Sequence, residues 1–186
     1  RQAFDEHFRV DVLLGDVSWE TSYGLPGEGL PPRVVAHISF DWPSWSQAAY
    51  RKWYVDDGLD ELPAIEMEIG FRVQRVADLP DLALLRPVLP EQSPLIGNGR
   101  LERVEVTVET IYPDDSDARQ GDARVEHAVE ISYEGLYELG EETLADGASS
   151  ILDDHFGALG GWIATMLVKM GDVKYSFHPA DQPDDQ

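Results

Sequence analysis

Asp153, Asp154 and His155 form a run of candidate metal ligands, and "LLGDVSWETSYGLP" (Leu13 to Pro26) sets the carboxylates Asp16 and Glu20 beside the aromatics Trp19 and Tyr23. The first arrangement fails on geometry. Neighbouring helical residues point about 100° apart, so three in a row do not converge on one ion without ligands from elsewhere. The five histidines, His7, His37, His127, His155 and His178, are scattered singly. With no cysteine there is no thiolate nucleophile, no disulfide and no cysteine-ligated metal. No Gly-x-Gly-x-x-Gly, no Gly-rich loop closing on Gly-Lys-Ser/Thr, no His-Glu-x-x-His and no Gly-x-Ser-x-Gly elbow is present. The reading is therefore not an enzyme, with no cofactor and no metal. That leaves the second arrangement, a strand that carries carboxylates and large aromatics at regular intervals.

Composition limits what such a strand serves. The 186 residues hold 36 Asp and Glu against 14 Lys and Arg, a formal net charge of −22. Charge of that sign repels phosphate backbones and anionic lipid heads, which excludes nucleic acid and membrane surfaces as partners. It keeps a solvated surface soluble, or presents an acidic face to a basic partner. Hydrophobic residues make up 42% and aromatics 10%, so the acidity sits on a foldable chain. Absence of cysteine fits a reducing compartment, and cytoplasmic localisation is the expectation. No apolar run approaches the roughly 20 residues of a membrane span. The first residue is Arg, so a leader could precede it.

The elements that must position these residues follow from periodicity. Phe8, Val10, Val12 and Leu14 alternate with polar neighbours, as do Val34 to Phe40 and Ile65 to Val73. Val104, Val106 and Val108 alternate with Glu105, Thr107 and Glu109, and Val125 to Tyr133 alternates with Glu126, Glu130 and Glu134. These are five half-buried strands with one dry face and one acidic face. The stretch Tyr112 to Ala123 reads as an exposed hairpin loop. Ala77 to Gly99 holds four prolines and reads as a surface crossing with one short helical turn. Residues 40–58 read as an inserted aromatic helix, with Ser44 and Gln47 at capping-box spacing and Trp45, Ala49 and Trp53 stacked along it. That stripe either packs on the sheet or forms a partly exposed platform. A longer helix runs from Ala148 or Ser149 to Met170, with a glycine stop at Gly171 and a bend or close packing at Gly157, Gly160 and Gly161. Residues 180–186 read as a flexible acidic tail. The whole is an α+β chain of one domain, 1–186, an antiparallel sheet covered by a long C-terminal helix.

The segment "FRVDVLLGDVSWETSYGLP" (Phe8 to Pro26) resembles the first strand of the SecB family of export chaperones, through Asp16, Val17, Ser18, Trp19 and Glu20. "FGALGGWIATMLVKMGDVKYSFHP" (Phe156 to Pro179) is similar to that family's main helix and the extended run after it. The resemblance implies an ATP-independent holdase, a homotetramer of paired dimers, with Asp16 and Glu20 on an acidic face that docks the SecA motor. Ending without a second C-terminal helix is more similar to relatives that guard an antitoxin. Trp42, Trp45, Tyr50 and Trp53, with Phe156 and Trp162, are the expected contacts for unfolded or partly folded polypeptide clients. The alternative is a non-catalytic small-ligand-binding or scaffold module on the same sheet and helix. Enclosed tryptophans favour the module and tryptophans rimming an open groove favour the chaperone.

Overall fold

The computed structural model describes residues 6–13, 16–27, 29, 31–56, 61–113, 124–144 and 149–179; of residues 6–13 and 16 it describes the backbone alone. The loop expected over Tyr112 to Ala123 falls mostly outside these residues, and the tail at 180–186 falls wholly outside.

Alternating sequence makes strands because successive side chains project to opposite sides of a pleated backbone. In chain order the strands are β1 (Glu6–Leu13), β2 (Asp16–Gly24), β3 (Val34–Trp42), β4 (Ala64–Val76), β5 (Glu102–Ile111) and β6 (Glu126–Glu138). They form one antiparallel sheet in the order β1-β2-β3-β4-β6-β5. The sheet thus has six strands where five were expected, because the opening stretch forms two. Leu13 faces Asp16 in the register, a separation that suits a two-residue hairpin connection.

Among the described residues, three helices and two 3₁₀ turns lie between and after the strands. Helix α1 (Ser44–Asp56) joins β3 to β4, and the short α2 (Glu141–Leu144) follows β6. Helix α3 (Ser149–Gly171) matches the expected long C-terminal helix to within a residue or two. The crossing from β4 to β5 holds two 3₁₀ turns, Leu82–Leu84 and Arg86–Val88, where one was expected. That crossing is more than a surface strap, since it buries Leu85, Leu89 and Ile96 in the core.

Helix α3 packs on the dry face of the sheet. Trp162 meets Phe71 of β4 edge-on at 5.4 Å between ring centroids and Tyr133 of β6 at 5.2 Å. Perpendicular rings place positive edges against negative faces, an attraction beyond their area of contact. Met166, Leu167 and Met170 continue the same buried side toward the glycine stop. After α3 the chain returns to the end of β4, where Phe177 bridges Val76 and His178 donates its backbone N–H to the Arg75 carbonyl at 2.8 Å.

Two tyrosine hydroxyls fasten the β4–β5 crossing. Tyr133 donates to the Pro90 carbonyl at 2.8 Å and Tyr175 to the Asp81 carbonyl at 2.9 Å. Burial pushes the Tyr133 phenol up to about 12, partly offset by Arg103, and burial with the charge of Asp81 pushes Tyr175 up to about 12. Both groups are held protonated in the fold and ionise near pH 10 in the unfolded chain. Their contribution is complete below about pH 10 and is lost as pH rises toward about 12. Urea unfolding across this alkaline range is expected to show falling stability in the wild type and a shallower fall in Tyr133→Phe; equal slopes would exclude Tyr133 as a source.

Candidate functional site

The two faces of the sheet offer two different surfaces. On the face away from α3, Glu20 of β2, Asp41 of β3, Glu66 and Glu68 of β4, and Glu130 and Glu134 of β6 stand in neighbouring rows. Most are exposed, as their charge requires. Arg72 sits among them, its guanidinium 2.7 Å from Glu109 and 2.8 Å from Glu130. Burial pulls the Arg72 guanidinium down, and its hydrogen bonds to Glu109 and Glu130 outweigh this and leave it raised. Gly70 leaves room beside it, since a Cβ there would stand 3.2 Å from Glu130 Oε1. On the same face Ser22 Oγ and His37 Nδ1 are hydrogen-bonded at 2.7 Å.

The other surface is an apolar groove of about 400 Å³ between α3 and the β2–β3 side of the dry face. Phe40 and Phe156 meet edge-on at 5.9 Å at one part of it, and Tyr23, Ile38, Ile163 and Leu167 line the rest. Its helix wall opens at Gly160, where an added Cβ would meet no atom within 4 Å. Thr21 also belongs to the lining, and its Oγ1 is shielded from water and has no hydrogen-bond partner among the described residues. Such a group costs about 1–3 kcal/mol when unpaired.

The expected site residues divide among four places. Glu20 is exposed on the acidic face; Asp16 begins β2 and its side chain lies outside those described. Phe156 lines the groove. Trp162 is 8% exposed, fills the space between Phe71 and Tyr133, and does not line the groove.

Three residues of the aromatic insertion form a separate cluster. Trp42 and Tyr50 meet edge-on at 5.9 Å, and Tyr50 lies 5.9 Å from Trp53. Buried Ser46 fastens α1, its Oγ accepting from Trp42 Nε1 at 3.1 Å and from Ala64 N–H at 2.8 Å. Hence the inner side of α1 carries Ser46, Tyr50 and Trp53, while Trp45 turns outward at 41% exposure beside exposed Tyr54 and Val55. None of these tryptophans lines the apolar groove.

Asp153, Asp154 and His155 separate as helical geometry requires. Both aspartates are exposed, whereas His155 Nδ1 is hydrogen-bonded to the Tyr137 hydroxyl at 2.8 Å. Among the described residues no group of three or more His, Asp or Glu could hold a metal ion. No helix among them is long and apolar enough to cross a membrane. Sequence reasoning missed Thr21, Tyr23 and Phe40 as groove residues, although their alternation with Ser22 and Ser39 marks the dry face.

Compared with protein-family models, with curated proteins and with solved structures, the chain matches none. Function is therefore argued from these two surfaces.

The acidic face supplies a direct test. Arg72→Met removes the cation between Glu109 and Glu130 and is expected to cost about 1 kcal/mol of stability at low salt. Added salt screens the remaining repulsion, so the gap from wild type should narrow between about 0.02 M and 0.5 M. A gap independent of salt in urea unfolding would assign the loss to packing of the arginine stem.

Proposed function

We propose that the protein is an ATP-independent holdase of SecB-like character that binds extended, apolar segments of non-native polypeptides. The single observation supporting this reading is the open apolar groove beside α3, whose walls come from a helix and a sheet edge region rather than from a closed core. An exposed concave apolar surface on an acidic molecule suits reversible holding, since the charge opposes self-association while the groove removes client side chains from water. A side chain of Leu or Phe size contributes about 1.5–3 kcal/mol when fully buried, so two or three of them give micromolar affinity after ordering costs.

The client site in this reading is the groove at Phe40, Phe156 and Gly160, with the aromatic cluster of α1 as a second contact. Glu20 and its neighbours serve a basic partner, such as the SecA motor in export or a dedicated antitoxin client. A symmetric homo-oligomer and a cytoplasmic setting belong to the same proposal. A second reading, a carrier of a small apolar ligand, is favoured by the mostly apolar lining of the groove, a surface that suits such ligands.

Gly160→Glu places a carboxylate at the groove mouth where space is free, so the fold tolerates it while apolar occupants lose affinity. It is expected to abolish most suppression of aggregation of an unfolding client; Trp45→Ala with Trp53→Ala should lose less. Unchanged protection in the glycine variant would remove the groove from the proposal. Titration with a fatty alcohol that binds tightly, together with absence of protection across several clients, would establish the carrier instead.

Light scattering at high micromolar concentration and physiological salt is expected to return a multiple of the chain mass. A monomer would count against the oligomer and the SecB-like reading together.

A further inference from the structure

Strand β5 closes the sheet on the side away from the groove. Its first residues are covered, since Gln92 bridges Glu102 and Arg103 donates its N–H to the Glu91 carbonyl at 2.9 Å. Beyond them, from Val104 to Ile111, no strand among the described residues pairs with the outer edge. Edge backbone of this kind presents a row of N–H and C=O groups that a further strand can complete.

The two faces beside this edge differ. Val106 and Val108 lie opposite Ile131 and Val129 of β6, on the dry face, yet each remains 37% exposed because α3 packs nearer the centre of the sheet. Glu105 and Glu109 lie on the acidic face, and Thr107 between them is opposite Glu130. A second copy of the chain is a poor occupant. In the symmetric antiparallel register about Thr107, Glu105 of each copy would face Glu109 of the other, and like charges directly opposite are destabilising. A wholly apolar strand would cover the valines and desolvate the glutamates without pairing them. A strand alternating basic and apolar residues answers both faces at once.

We propose that the Val104–Ile111 edge of β5 is a docking site for an extended segment of a partner protein that alternates Lys or Arg with apolar residues. The partner adds a seventh strand, its basic side chains beside Glu105 and Glu109 and its apolar ones over Val106 and Val108. The net charge of −22 draws such segments in from solution. This surface is separate from the groove and stands whether or not the groove holds clients.

The test uses the full chain and a fluorescent peptide of alternating Lys and Val. Two comparison peptides carry Glu in place of Lys, or N-methyl groups on alternate backbone amides. Anisotropy should show binding of the first peptide, and amide exchange should slow across residues 104–111. The N-methyl peptide should bind at least about tenfold more weakly, because strand hydrogen bonds are lost. Glu105→Lys, at an exposed position that does not pair with Arg72, should weaken the Lys/Val peptide about fivefold and improve the Glu/Val peptide. Equal binding of the N-methyl peptide would overturn the proposal in favour of plain charge attraction. Slowed exchange confined to the groove, no binding of any peptide, or protection of 104–111 that rises with protein concentration alone would overturn it too. These readouts are peptide affinity and local exchange, so they fail or succeed independently of client protection at the groove.

Discussion

Carboxylates that alternate with apolar residues along a strand must stay in water, and this constraint decides how the rest of the molecule is arranged. Moving an unpaired carboxylate into an apolar interior costs several kcal/mol, more than a covering helix could return. Only one face of the sheet is therefore open to packing. Helix α3, the crossing between β4 and β5, and the run after α3 all contribute buried residues to the core on that face. On the other face Arg72 sits between Glu109 and Glu130, a local relief of repulsion within a surface left to solvent.

A single helix does not cover a six-stranded sheet. Because Trp162 seats α3 between Phe71 and Tyr133, the helix axis is committed to the middle strands. The dry face therefore stays partly open on both sides. Toward β2 the opening is the groove with Thr21 Oγ1 in its wall; toward β5 it is the pair Val106 and Val108. Gly160 of α3 contributes to the first opening, since it lines the groove and has free space where a side chain would stand. Both proposed binding surfaces are thus consequences of one packing choice.

Much of the architecture was legible in the residues. Val/Glu alternation identified the strands and their exposed face, and the spacing from Ile151 to Met170 with Gly171 after it located α3. The hairpin within the opening stretch was not legible, because alternation continues through Leu14 and Gly15 and a two-residue connection leaves little trace in the periodicity. The inner side of α1 was not legible either. Trp45, Ala49 and Trp53 at helical spacing marked a stripe that either packs on the sheet or stays partly exposed, whereas a small hydroxyl, Ser46, holds the helix by satisfying both Trp42 Nε1 and the Ala64 N–H.

The sequence by itself determined the α+β class, the antiparallel sheet and the face that must remain wet, because these depend on side-chain period and on the cost of burying charge. It also set Asp153, Asp154 and His155 pointing apart, since helical rotation separates neighbours. Tertiary structure alone decided that β6 lies between β4 and β5, that Trp162 is core while Phe156 lines a groove, and that Val106 and Val108 are left uncovered. Those outcomes depend on where α3 sits across the strands. Its position follows from the fit of Trp162 between two rings that are far apart in the chain, a relation that periodicity along one strand or one helix does not encode.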